Sequence, residues 1–199
     1  LGSLGYLSQV RASDGLEAVF RDSAHEVGRM LGRRGIELIY GGGARGLMGE
    51  VARGVHAEGG RVTGIITERL HGPERAYQAA DELIVVPTMR ERKRLLIERG
   101  DGVIVLPGGI GTMEELFEAM TGRVVGEHEV PIGLLDVDGF FGPLLAMLRD
   151  GIERGFIRPA VMELVQVHHE AETMLEAMIR HERGPIDESK FFGGGAHPR

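Results

Sequence analysis

Cysteine and tryptophan are absent from the 199 residues, and the 23 basic side chains include only two lysines, Lys93 and Lys190. Without a thiol there is neither a disulfide framework nor a thiolate-bound metal. No run approaches the roughly 20 apolar residues of a membrane-spanning helix. No signal-peptide pattern opens the chain, so a cytoplasmic protein without a membrane partner is expected. Positive charge is in deficit as well: 30 acidic against 23 basic residues give a net charge of −7, with the basic residues scattered among acids. That balance argues against a nucleic-acid partner. The scarcity of lysine makes Lys93 conspicuous.

The remaining composition, 42% hydrophobic, suits one sizeable α/β core without internal repeats. Its centre of organisation is Pro107 to Glu115, PGGIGTMEE. The stretch follows a short β-branched run, Gly102 to Leu106, that reads as a buried parallel strand. It leads into Met113, Leu116, Phe117 and Met120 at helical spacing. A strand, a glycine turn and a helix start are the expected result, with the helix beginning at Thr112. Gly108, Gly109 and Gly111 would let the backbone adopt positive φ and approach a ligand, while the unpaired N–H groups of the first helical turn favour an anion such as phosphate. Glu114 and Glu115 are placed in the same first turn, where they would repel phosphate unless aimed elsewhere. Glu115 lies nearly opposite the apolar stripe, so periodicity alone reads it as a solvent carboxylate; its place in the glycine motif reads it as an acid for chemistry.

The flanking segments fit the same alternation. The opening LGSLGYLSQ, without an initiator methionine, reads as a first glycine turn built on Gly2, Ser3 and Gly5 at the end of a missing or truncated strand, or as a loose terminus. A helix follows from Leu16 to about Gly35. Ile36 to Tyr40 is a strand that runs into Gly41, Gly42, Gly43 and on to Gly49, either a plain turn or a second ligand turn. The run does not match the dinucleotide fingerprint, which disfavours NAD. Arg61 to Thr67 is a strand, and Glu68 to Asp81 is a polar connection long enough to carry function. Glu82 to Val86 is the next strand, and Thr88 starts a helix whose apolar arc of Met89, Leu95, Leu96 and Ile97 encloses Arg92 and Lys93. Arg90, Glu91 and Arg94 lie outside it. Buried cations need a partner, and an anionic ligand is the simplest one. Later elements look structural: a strand within Val130 to Val137, a helix from Phe140 to Ile152, a last strand from Val161 to Val167 and a helix from Glu170 to about His181. Asp136 and Asp138 suit turn and cap roles better than the site. His168 and His169 point apart on a strand and make a poor metal pair, so no metal is expected.

YGGGARGLMG (Tyr40 to Gly49), MRERK (Met89 to Lys93) and PGGIGTMEE (Pro107 to Glu115) occur in the order and with the spacing of the LONELY GUY family, which this chain resembles from about Gly2 to Leu175. These are the cytokinin riboside 5′-monophosphate phosphoribohydrolases, long misannotated as lysine decarboxylases. The resemblance implies a Rossmann-like, doubly wound parallel sheet of about six or seven strands with helices on both faces. It implies one nucleotide-binding domain over residues 1–182, with 183–199 an irregular tail that is loose or packs on a partner subunit. The implied reaction cleaves the N-glycosidic bond of an adenosine 5′-monophosphate, N6-substituted or plain, into free base and ribose 5-phosphate. No cofactor is implied, and a homodimer is. Arg92 and Glu115 match the catalytic arginine and glutamate. Gly109, Gly111, Thr112 and Thr121 match phosphate and sugar contacts, Lys93 the paired basic contact, and Glu74 a further substrate contact; Met89, Gly108, Gly42 and Gly43 complete the substrate-binding set. The chain departs from the family pattern at Arg90, commonly histidine, at Ile110, commonly tyrosine, and at Gly122, commonly tryptophan, all on the base side of the implied pocket.

The chemistry agrees. Breaking a ribosyl C–N bond builds positive charge on the sugar, which a carboxylate stabilises while orienting water. Two rivals share the motifs: a nonenzymatic nucleotide or molybdenum cofactor carrier, and a pyridoxal phosphate decarboxylase for which Lys93 would have to serve.

Overall fold

The structure is a computed structural model that describes residues 3–7, 17–72, 75–182, 184–187 and 189–192. Strands β1 (Ser3–Leu7), β2 (Glu37–Tyr40), β3 (Val62–Thr67), β4 (Glu82–Val86), β5 (Val103–Val105), β6 (Ile132–Leu135) and β7 (Val165–His168) join in the order β4-β3-β2-β1-β5-β6-β7. Every pairing is parallel. The fold is thus the expected α/β kind. The β-branched content of VTGIIT and VIV suits β3 and β5 to burial at every position, as is also found for β6.

Among the described residues, seven α-helices accompany the sheet: α1 (Ala18–Arg33), α2 (Gly46–Ala57), α3 (Met89–Arg99), α4 (Ile110–Val124), α5 (Gly142–Glu153), α6 (Ala171–Arg180) and the short α7 (Ser189–Phe192). Two apolar clusters divide them. Val27, Leu31, Val51, Val55, Met174 and Leu175 of α1, α2 and α6 pack with Leu38 and Ile104. Leu96, Leu116, Met120, Leu145 and Leu148 of α3, α4 and α5 pack with Ile39, Val105 and Leu134. The α1–α2 contact is close because it is glycine-lined: a Cβ on Gly28 would stand 2.1 Å from the Val51 carbonyl oxygen, and one on Gly54 would stand 2.2 Å from that of His25. No described helix is long and apolar enough to cross a membrane.

Three expectations change. Ser3 and Gly5 are not a turn but pair inside the central strand, Ser3 with Glu37 and Gly5 with both Ile39 and Val103; Gly2 lies outside the described residues. Glycine reads as turn chemistry in isolation, yet a strand hydrogen-bonded on both edges holds it by backbone alone and lets neighbours approach, here α3 and α4. The apolar run from Val161 begins as a 3₁₀ turn, Pro159–Glu163, and only Val165–His168 is strand, since proline at the start fixes φ and withholds a ladder donor. In the aperiodic tail, Ser189–Phe192 is helical, Ile186 and Phe191 pack on the α3–α5 side, and the Lys190 ammonium lies 2.7 Å from Glu163. Four residues are too few to show a period.

Strand order reverses at β1. The chain winds outward through β2, β3 and β4, then returns to β1's other edge as β5. In such sheets a crevice opens beyond the strands' carboxyl ends at the reversal. The turn after β5 opens there.

Candidate active site

β5 is followed by the buried Leu106, and Gly109 is the N-cap residue of α4, with no side-chain cap bond. A bare helix start follows from glycine's lack of a capping oxygen. None of Gly108, Gly109 or Gly111 has positive φ, against the sequence expectation. Gly108 is needed for room: a Cβ there would stand 2.1 Å from Thr112 Oγ1, and the Thr112 side chain is fully buried beneath the turn. The helix starts at Ile110, two residues earlier than periodicity placed it, so Glu114 and Glu115 occupy its second turn and its first turn has no acid.

α3 supplies the opposing wall. Thr88 caps it, its hydroxyl accepting from the Glu91 N–H at 3.1 Å, and this fixes the phase of the helix. Arg92 consequently points inward and is 2% exposed. Its Nη1 donates to Glu115 Oε1 at 2.9 Å and its Nε to the Ile65 carbonyl at 3.0 Å, while Met89 Sδ lies 3.5 Å from Nη1. Glu115, read from periodicity as a solvent carboxylate, is 3% exposed. Periodicity failed because it counts only apolar neighbours, and here the neighbour is a cation. The partner that Arg92 needs is a carboxylate of its own chain. An ion pair this dry is costly to break from either side, because the remaining charge would stay buried.

Lys93, the next residue of the same helix, also meets α4 and is partly exposed. Its Nζ lies 2.5 Å from Glu114 Oε1 and 2.8 Å from Glu118 Oε2. Partial burial opposes the charge, yet hydrogen bonds to these two carboxylates prevail and hold the ammonium above its ordinary pKa. Its charge is therefore already engaged by protein carboxylates.

The second glycine turn meets the same pair. A Cβ on Gly41 would stand 1.9 Å from Arg92 Nη2, so this glycine is the seat of the guanidinium. Gly42 has φ 72°, and its carbonyl accepts from the Tyr77 N–H at 2.9 Å; Gly43 bridges Ala76. The connection after β3 is thereby clasped onto the turn. Gly41 and the Ile65 carbonyl are the parts sequence reasoning missed. The first was signalled by its position directly after a strand, but a backbone acceptor leaves no signal in the sequence.

Other candidates separate from this cluster. Thr121 is exposed six residues beyond Glu115, about 9 Å along α4. Glu74 lies outside the described residues. Asp136 accepts from the Phe141 N–H at 2.8 Å, and Asp138 sits in the same turn with φ 51°, both in local turn roles. His169 contacts the Asp136 carbonyl, and no group of three metal-ligating side chains occurs among the described residues. Met89 is 39% and Ile110 88% exposed, giving the first turns of α3 and α4 an apolar rim. A groove of about 770 Å³ runs between α3 and α4, lined by Arg90, Lys93, Glu118, Gly122 and His128 but by neither Arg92 nor Glu115. At Gly122 a Cβ would meet the His128 ring at 2.9 Å.

A buried Arg–Glu pair beside an uncapped helix start can hold an anion and present a carboxylate to a developing cation. The family model described as possible lysine decarboxylase matches residues 48–178. A probable cytokinin riboside 5′-monophosphate phosphoribohydrolase of Oryza sativa subsp. japonica is 41% identical over 169 residues, which is 85% of this chain and 76% of that protein. A cytokinin riboside 5′-monophosphate phosphoribohydrolase of Arabidopsis thaliana is 40% identical over 154 residues, 77% of this chain and 72% of that one. Among solved structures, the molybdenum cofactor binding protein of Rippkaea orientalis superposes with a TM-score of 0.67 at 21% identity, covering 89% of this chain and 94% of that one. The molybdenum cofactor carrier protein of Chlamydomonas reinhardtii gives 0.66 at 20% identity, with 89% and 96% covered. At such identity these two speak for the fold alone. On the family model and the plant relatives together, the chain belongs to the LONELY GUY family of cytokinin riboside 5′-monophosphate phosphoribohydrolases.

Proposed function

We propose that the protein hydrolyses the N-glycosidic bond of an adenosine 5′-monophosphate, with or without an N6 substituent, to the free base and ribose 5-phosphate. The observation that carries the reading is the buried Arg92–Glu115 pair, 2.9 Å apart, beside the uncapped amino terminus of α4. The 5′-phosphate would rest on the backbone N–H groups of Gly109 to Thr112. As the C1′–N9 bond breaks, its electrons leave with the base and the sugar becomes cationic; the Glu115 carboxylate stabilises that charge and orients the water whose oxygen bonds to C1′. One water proton ends on the base. Arg92 keeps Glu115 ionised and fixed, and the phosphate contacts position the reacting carbon through remote binding energy. Glu74, Gly42, Gly43 and Met89 line the substrate in this reading.

The decarboxylase description does not fit these residues. A Schiff base needs a neutral lysine, whereas Lys93 is held as an ammonium by Glu114 and Glu118 and Lys190 lies against Glu163. A cytoplasmic homodimer completes the reading. Thr121 is exposed on α4 beside the α3–α4 groove, so a role in substrate binding is best explained by a second copy packed there.

The test is incubation with adenosine monophosphate, its N6-isopentenyl derivative and the two unphosphorylated nucleosides, quantifying free base, with Glu115→Gln as control. Base should appear from the monophosphates and fall at least about 10²-fold in the variant. Normal turnover by Glu115→Gln would remove the catalytic assignment, and no release by the wild type would favour a carrier.

A further inference from the structure

Two consecutive cations of α3 face two consecutive carboxylates of α4: Arg92 meets Glu115, and Lys93 meets Glu114. Both carboxylates stand just behind the helix start, Glu114 about 6 Å along the axis from Ile110. Left uncompensated they would oppose a phosphate dianion at that end, since the helix dipole contributes only about half a charge. The buried Arg92 cancels Glu115. Glu114 is 55% exposed and is answered by the Lys93 ammonium at 2.5 Å, with Glu118 on the same nitrogen at 2.8 Å.

We propose that Lys93 serves as the counter-ion of Glu114 and not as a ligand of the phosphate, a positioning residue that keeps the amino terminus of α4 attractive to the 5′-phosphate. The proposal rests on the reading above that the phosphate binds at this terminus. A lysine with its three donors directed at two carboxylates has little left for a third anion, whereas its charge acts over the few ångströms to the helix start.

Lys93→Met, Glu114→Gln and the double variant are compared on adenosine monophosphate and its N6-isopentenyl derivative, at low salt and at about 0.5 M salt. Lys93→Met raises KM for the monophosphate about tenfold at low salt with kcat within about twofold, and high salt narrows the gap. Lys93→Arg stays near the wild type. Adding Glu114→Gln to Lys93→Met returns KM to within about threefold, because the repulsion is removed with its compensation. A direct ligand predicts no such return, and a double variant as weak as Lys93→Met overturns the proposal. Should Lys93→Met fail to fold, the exchanged pair K93E/E114K decides: a counter-ion role keeps KM near wild type, a ligand role loses it. An active wild type without rescue sinks this inference alone; a wild type inert toward every monophosphate sinks the proposed activity and the inference with it.

Discussion

Both glycine turns follow a strand of the parallel sheet and lead toward a helix, yet Gly41 to Gly43 is filled from within the protein while the turn at Gly108 and Gly109 ends on an uncapped helix. At the first, the Arg92 guanidinium lies 1.9 Å from where a Cβ on Gly41 would stand, and Tyr77 and Ala76 pair with the backbone of Gly42 and Gly43. At the second, a Cβ on Gly108 would meet Thr112, and the N-cap residue Gly109 has no side chain to cap the helix. Equal composition thus serves two ends. One turn positions the arginine, the other offers main-chain donors to an anion, and the Arg92–Glu115 pair spans the space between them.

The comparison breaks most sharply at Gly41→Ala. The added methyl displaces the guanidinium from its seat, so the bonds to Glu115 and the Ile65 carbonyl are lost together, and Met48 is crowded as well at 2.8 Å. Stability should fall by about 3 kcal/mol, the usual scale for disrupting a buried pair, and base release by roughly 10²-fold or more. Urea unfolding and turnover of the monophosphate measure both. Because the damage passes through Arg92, Gly41→Ala added to Arg92→Met should cost little further turnover; additive losses would mean that the glycine has another role. Gly42→Ala is milder. Its φ of 72° costs a side chain about 1 kcal/mol, and the nearest neighbours, Ile66 and Leu83 at 3.3 Å, are side chains able to give slightly. Turnover within about threefold of wild type is expected, and a loss equal to that of Gly41→Ala would erase the distinction drawn between adjacent glycines.

Much of this arrangement was legible in the sequence, for reasons that differ by residue. The strand–glycine–helix alternation was carried by β-branched runs and helical spacing, and the Thr88 cap by its own chemistry. Arg92 stood out because a cation inside an apolar arc demands a partner, but the partner's identity depended on the distance between two helices, which no single-helix pattern contains. Glu115 was misread by periodicity for the same reason. The opening strand was misread because glycine in a doubly paired central strand is held by neighbours far away in sequence, β2 and β5. The shift of the α4 start from Thr112 to Ile110 followed from Gly109 accepting the cap position, where glycine leaves no side-chain sign.

The smallest effect sharpens the difference between a clasped turn and an unclasped one. Asp81 accepts from the Val62 N–H at 2.8 Å and meets His56 Nε2 at 3.1 Å, and His56 Nδ1 lies 3.0 Å from the Tyr77 hydroxyl. The backbone bond from Val62 and then the His56 bond hold the Asp81 carboxyl below its ordinary 3.8. A carboxylate whose folded value is lowered binds protons more readily when unfolded, so its contribution is complete above the ordinary value and vanishes as pH falls through the folded one. Wild type should therefore melt about 1–3 °C above Asp81→Asn at pH 6, a modest gap because the group is well exposed to solvent. The two melting temperatures should converge as the pH falls below 3.8 and through the lowered folded value. KM for the monophosphate should rise slightly in the variant, because Tyr77 loses the support behind its bond to Gly42, while kcat stays close to wild type with Arg92 still seated on Gly41. A fall in kcat as large as the rise in KM would show that the clasp reaches the Arg92–Glu115 pair, and the two turns would then have to be treated as one device.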